Sequence, residues 1–249
     1  MLRILFVKLI PGEPVIDFPS DSLYNGPLEV SAVELDINEA LRYLGAGNAE
    51  ALRRDMADTA DKLTRAVRPR HVYRVFPLSR TPEGAVLEGS GVTLPGETAR
   101  RMLEDCDQAV LLLCTLGAGF ETMLRAQQAR DMARAVMLDA CGSAWVEAGC
   151  GEAEREIQAR FPGRYLTDRF SPGYGDLPLA LQRDVCAALD ARRRLGVQVT
   201  ESFLMNPTKS VTAVIGLSDR PQAARIRGCE FCTMAETCAL RKGGKTCAP

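Results

Sequence analysis

Four cysteines crowd one end of the sequence, where GCEFCTMAETCALRKGGKTC sets Cys229, Cys232, Cys238 and Cys247 in a C-x2-C-x5-C-x8-C array. Four thiolates on a short, glycine-containing segment can wrap a tetrahedral zinc or a [4Fe–4S] cluster, because both need ligands drawn together without a large core. Cysteine ligands alone do not choose between the metals; the cluster is the favoured reading and zinc its alternative. Arg241, Lys242 and Lys245 would offset part of the negative charge of such a site. The plainer reading is a set of ordinary reduced thiols in a frayed tail. Cys106, Cys114, Cys141, Cys150 and Cys186 are scattered through apolar or helical segments and lack ligand spacing.

A second candidate is RFSPGYGDLPL, residues 169–179. Arg169 offers a fixed cation suited to a carboxylate, Pro172 and Gly173 can direct the backbone sharply, and Tyr174 can pack on a planar group while donating a hydrogen bond. Alone, these residues also describe a proline turn with a surface arginine. Gly117 and Gly119 follow an expected strand and open a helix, where a phosphate could meet the helix N-terminus. The third glycine of a dinucleotide fingerprint is missing and the pattern is no P-loop, so a tight strand-to-helix turn is preferred. His71 is the only histidine. A histidine-based hydrolytic triad would have to pass through it, but within an apolar run it reads as a satisfied structural side chain.

These residues need elements to position them. Asp36 and Glu39 have the spacing of a capping box and predict a short helix from about Ile37 to Leu44. Asn48 can cap a longer amphipathic helix with Leu52, Met56, Leu63 and Val67 on its apolar face, ending before Pro69. Val72 to Phe76 reads as a strand, ended by Pro77, and Val86 to Leu94 as two short strands or a bent hairpin around Gly89 and Gly91. PGETARRMLEDC predicts a short helix, and AVLLLC a central strand covered on both faces. A long helix then runs from about Glu121 to Glu147, where Gly142 permits close packing or a bend, and a shorter one continues to about Phe161. Residues 162–178 form a shaped loop, Leu179 to Leu195 another helix, Val197 to Thr200 the start of a strand, and Lys209 to Leu217 the last strand, with Val211, Ala213, Ile215 and Leu217 on one face. The economical partition is one α+β domain, residues 1–221, and a four-cysteine module, residues 222–249.

Composition sets the outer bounds. The 249 residues carry 31 basic and 32 acidic side chains, 46% apolar residues and 25% charged ones. That balance describes an ordered globular chain and offers no electrostatic footprint for nucleic acid. MLRILFVKLIPG is broken by Arg3 and Lys8 and lacks a cleavage site, and the longest uncharged apolar stretch, Ala109 to Phe120, has 12 residues, against the roughly 20 that span a bilayer. A cytoplasmic protein without a membrane segment is expected, in a compartment where clustered thiols hold metal more often than they pair.

RFSPGYGDLPL resembles the R-x-x-P-G-Y segment of the activation domain of cobalamin-dependent methionine synthase, the part that binds S-adenosylmethionine. ELDINEALRYLG is similar to an N-terminal element of free-standing relatives of that domain, CTLGAGFE to their strand-to-helix turn, LDACGSAWVE to the helix before the binding segment, and ESFLMNPTKSVTAVIGL to their closing strand region. The likeness runs in order over residues 30–218. It implies an α+β fold with a curved antiparallel sheet and flanking helices. By the same resemblance, Arg169 would hold the ligand carboxylate, Ser171 and Gly173 would line the backbone surface, Tyr174 would face the ligand or the corrin, and Glu147 would take the ligand's amino group. Where the synthase continues with P-A-C-P, this chain has Gly175, Asp176, Leu177 and Pro178, a departure that fits a free-standing branch. The implied function is reductive reactivation of a corrinoid-dependent methyltransferase, methionine synthase first among them, with S-adenosylmethionine as methyl donor, cobalamin bound to the partner, and the cysteine tail or an external flavoprotein or ferredoxin as low-potential electron donor. The alternatives are a non-catalytic interaction or electron-transfer adaptor for a corrinoid protein, and a family fold that no longer binds S-adenosylmethionine.

Overall fold

The computed structural model of the chain describes residues 23–24, 33–45, 50–222, 236, 239–242 and 244. The fold is built around an antiparallel sheet whose strands are β1 (Leu23–Tyr24), β2 (Arg70–Thr81), β3 (Gly84–Leu87), β4 (Val92–Pro95), β5 (Gln108–Thr115), β6 (Tyr165–Leu166) and β9 (Ser210–Ser218), in the order β4-β3-β2-β5-β9-β6 with β1 also on β2. A separate hairpin joins β7 (Gln198–Val199) to β8 (Met205–Asn206). Seven of the eight residues of β5 are buried, as a central strand covered on both faces requires.

Each face of the sheet has its own helical layer. Tyr73, Val110, Leu112, Cys114, Ala213, Ile215 and Leu217 face α1 (Ile37–Tyr43), α2 (Glu50–Ala66), α4 (Gly117–Gln128) and α5 (Met132–Arg160). Val72, Leu111, Leu113 and Val214 face α3 (Glu97–Met102), α6 (Gln182–Ala188) and α7 (Ala191–Leu195). The period-2 alternation of β9 thus divides its residues between two cores. In the first core Trp145 of α5 is fully buried and donates from Nε1 to the Val67 carbonyl at 2.9 Å, which fixes α5 to the end of α2. Gly142 lets α4 and α5 approach, since a Cβ there would lie 2.4 Å from Cζ of Phe120.

Several boundaries differ from those expected. The long helix is two, because Asp131 caps α5 by accepting from the Arg134 amide at 3.2 Å; α5 then runs unbroken to Arg160. β2 continues through Pro77, the last residue in register with β5, after which Leu78 pairs with β3; at that junction the missing N–H of proline is tolerated. The helix expected from Leu179 to Leu195 is a 3₁₀ turn, α6 and α7, parted by Asp190 with φ 50°. Asp36 does cap α1, accepting from the Asn38 amide at 2.8 Å, while Glu39 binds Arg42 in place of closing a capping box. Asn48 lies outside the described residues.

Two expectations about fold class are corrected. The sheet is not curved: β2–β5 and β5–β9 each run through eight consecutive partners without a bulge, and bulges or glycine kinks are what bend a sheet. Nor is a Cys-rich module evident: beyond Gln222 the described residues comprise Glu236, the four-residue helix α8 (Ala239–Lys242) and Gly244. Among the described residues no helix is long and apolar enough to cross a membrane.

Candidate functional site

The segment that carries R-x-x-P-G-Y serves as an incomplete outer strand for β9. Thr167 exchanges bonds with Gly216, its amide donating to the carbonyl at 3.0 Å and its hydroxyl accepting from the Gly216 amide at 2.8 Å. Phe170 and Val214 bond in both directions, at 3.1 and 2.7 Å. The Ser171 hydroxyl donates to the Thr212 carbonyl at 2.7 Å. The chain then turns on itself: the Gly173 amide donates to Leu177 at 2.8 Å, and the Tyr174 amide to Ser171 at 3.0 Å. Gly173 has φ 89°, a conformation that favours glycine. Most polar groups that shape this loop are therefore spent on bonds to β9 and within the turn.

Asp176 anchors the far end. One carboxylate oxygen accepts from the Glu97 amide at 2.6 Å and the other from the Thr98 amide at 3.0 Å, so the loop caps the first turn of α3. Hydrogen bonds from the Thr98 side chain, the Thr98 amide and the Glu97 amide lower the Asp176 pKa to about 2. Gly96 and Gly175 make the approach possible: a Cβ on Gly96 would lie 2.5 Å from the Asp176 carboxylate, and one on Gly175 2.4 Å from the Thr98 hydroxyl. Here the departure from P-A-C-P has a structural role.

Alternation along the segment sends Phe170 into the second core and Arg169 toward α5. The Arg169 guanidinium donates from Nη2 to Glu147 Oε2 at 2.7 Å, and its Nη1 lies 3.0 Å from Glu154 Oε2. Arg169 is the most enclosed of the three, 12% exposed against 30% for Glu147 and 23% for Glu154. Burial opposes its charge, but Cys150, Glu154 and Glu147 together outweigh burial and raise its pKa. The Cys150 thiol is itself raised well above its ordinary value by a hydrogen bond with Cys114 and by burial, so near neutral pH it is uncharged and the two carboxylates carry the pairing. Tyr43, exposed at the end of α1, lies within electrostatic reach of Glu147: its pKa is raised by partial burial, then by Glu147 and Glu39.

Of the residues named from sequence, Glu147 and Arg169 come together as an ion pair, Ser171 and Gly173 build the loop beside them, and Tyr174 follows in the same turn. Glu154 was missed, although it stands seven residues after Glu147 on α5, two helical turns along one face. His71 is a structural partner: its Nε2 meets Glu156 Oε2 at 2.8 Å, with both side chains largely buried. Gly117, with φ 70°, donates to the Thr115 hydroxyl at 3.0 Å, as a tight turn does. Two clefts of about 350 Å³, one between β3 and α3 and one beside α6 and α7, are lined by none of Glu147, Arg169, Ser171, Gly173 and Tyr174.

The metal assignment is corrected. Among the described residues no group of three or more His, Cys, Asp or Glu side chains could hold a metal ion, and the five described cysteines are buried free thiols. The iron–sulfur cluster and its zinc alternative are therefore withdrawn; Cys229, Cys232, Cys238 and Cys247, on which they rested, lie outside the described residues.

Residues 104–226 match the family described as vitamin B12 dependent methionine synthase, activation domain. The matched stretch includes α5 and the R-x-x-P-G-Y segment but stops short of α1. No curated protein matches the chain. Among solved structures, the MetH reactivation domain bound to AdoHcy superimposes with a TM-score of 0.53 at 18% identity, covering 81% of this chain and 74% of that one, a likeness of fold. The chain is thus a distant relative of the reactivation domain of cobalamin-dependent methionine synthase, in sequence over residues 104–226 and in fold over most of its length.

Proposed function

We propose that this protein binds S-adenosylmethionine and serves as an accessory component that reactivates a corrinoid methyltransferase, methionine synthase first among them. The observation that carries the reading is the Arg169–Glu147 pair, because a guanidinium beside a carboxylate is the charge complement of an amino-acid zwitterion. Arg169 would take the ligand carboxylate as a charge-assisted donor, and Glu147 its ammonium. Ser171, Gly173 and Tyr174 would line the path from that pair to the adenosyl and methyl groups. AdoHcy, bound in the solved relative, is what remains of S-adenosylmethionine once the methyl has left.

The chemistry supplied by the partner-bound cobalamin is reduction of cobalt(II) by one electron from a low-potential donor, followed by capture of the sulfonium methyl on cobalt(I), which releases S-adenosylhomocysteine. This protein's share is position: the loop holds the ligand so that its methyl faces the corrin, which converts a two-body encounter into a local one. No side-chain acid or base is required.

Equilibrium dialysis tests the reading. Saturable S-adenosylmethionine binding by the intact chain, reduced at least about tenfold in Arg169→Ala, is expected. With Co(II)-inactivated methionine synthase and a low-potential reductant, the protein should raise methylcobalamin above a protein-free control. Absence of binding by the intact chain would leave the adaptor reading in its place.

A further inference from the structure

The two carboxylates on Arg169 are not equivalent. Glu147 accepts a proper hydrogen bond from Nη2 at 2.7 Å. Glu154 stands 3.0 Å from Nη1, yet that nitrogen is buried and has no hydrogen-bond acceptor, so the carboxylate neutralises the charge without lying along an N–H direction. A buried guanidinium N–H without an aligned acceptor is unfavourable in the low-dielectric interior. Glu154 is also more exposed than the arginine it covers, and it projects from the same face of α5 as Glu147.

We infer that Glu154 is a placeholder: in the ligand-free protein it occupies the position on Arg169 Nη1 that the α-carboxylate of the ligand takes on binding. The inference rests on the proposed S-adenosylmethionine site and deepens it. Glu147 keeps Nη2 throughout and fixes the guanidinium plane; Glu154 shields Nη1 until an incoming carboxylate aligns with it and displaces it toward solvent. No covalent bond changes. Glu154 is thus a positioning residue that competes with the ligand, and it sets the affinity for carboxylate-bearing ligands over those lacking the carboxylate.

A competitor has a signature opposite to that of a supporting contact. Binding of S-adenosylmethionine and of its decarboxylated analogue is measured by calorimetry for the intact chain, Glu154→Gln and Arg169→Ala. The expected result is about tenfold tighter binding of S-adenosylmethionine by Glu154→Gln, with the decarboxylated analogue unchanged. Should Glu154→Gln fail to fold, Glu154→Asp, whose shorter side chain withdraws the carboxylate from Nη1, is expected to tighten binding in the same direction by a smaller factor. Equal or weaker binding of S-adenosylmethionine in the Glu154 variants, with binding by the intact chain retained, overturns the placeholder and leaves the proposed site standing. Loss of both ligands in parallel marks Glu154 as a structural support and likewise overturns it. Absence of binding in the intact chain and every variant overturns the site and the placeholder together, whereas binding that appears only when Glu154 is replaced supports the placeholder.

Discussion

β5 and the segment Thr167–Pro178 lie on opposite edges of β9 and are held there by opposite means. β5 is apolar from Ala109 to Cys114, buried on both faces and paired along its whole length. Thr167–Pro178 is joined to β9 by the Thr167 amide, one bridge and two hydroxyls, and to α3 by one exposed carboxylate. Burial is non-directional, so the first region is defined by volume and fails when volume is removed. The second buries only Phe170 and Leu177 in the core and is otherwise placed by a few directional bonds, so losing one can shift the loop while the domain stays folded. A ligand site gains from the second arrangement, since its geometry can be tuned without putting the core at risk.

The largest effect is expected on the apolar side. Trp145→Ala empties the space between α5 and α2 and leaves the Val67 carbonyl without its donor. By the usual cost of large-to-small core changes it should lower stability by about 3–5 kcal/mol, read as a shift of the denaturant midpoint. A loss under about 1 kcal/mol would show that this core collapses around the cavity and would break the contrast.

Next in size is a change confined to the loop. Gly175 has φ 57°, and a Cβ there would meet the Thr98 hydroxyl; Gly89 has φ 74° in open space. Alanine at Gly89 should cost only the left-handed backbone strain, about 1–2 kcal/mol. Alanine at Gly175 should cost that strain and also push the loop away from α3, so S-adenosylmethionine affinity should fall for Gly175→Ala and hold for Gly89→Ala. Equal affinities in the two variants would mean that docking on α3 does not position the site.

The same contrast explains what could be read from the sequence. β5, β9 and the β3–β4 hairpin were legible because burial leaves a period and turns leave glycines. The α4–α5 break was not: Gln127, Gln128, Ala129 and Arg130 are good helix formers, and Asp131 shows itself as a cap only once its carboxylate meets the Arg134 amide. That Arg169 and Glu147 lie together followed from motif resemblance, whereas the place of Glu154 beside them is written only in its helical spacing from Glu147. The latch of Asp176 on α3 joins residues nearly 80 positions apart, and no local pattern records such a contact. The departure from P-A-C-P marked the place without disclosing its purpose.

The smallest effect, and the one most diagnostic of the loop, belongs to Asp176. Its pKa is lowered to about 2 by the Thr98 side chain and the amides of Thr98 and Glu97, so the folded protein prefers the charged form more strongly than the unfolded chain does. A lowered carboxylate pKa contributes stability in full above the unfolded value, near 3.8, and loses it as pH falls through about 2. Asp176→Ala should therefore be less stable than the parent at about pH 5, and the gap should close as pH falls through and below about 2. Because the carboxylate is exposed, solvent screening keeps the gap small; its closure on acidification is the quantity to measure. A gap that stays constant across that window would assign the effect of the substitution to loop packing and remove the charged cap from the account of how the R-x-x-P-G-Y segment is held.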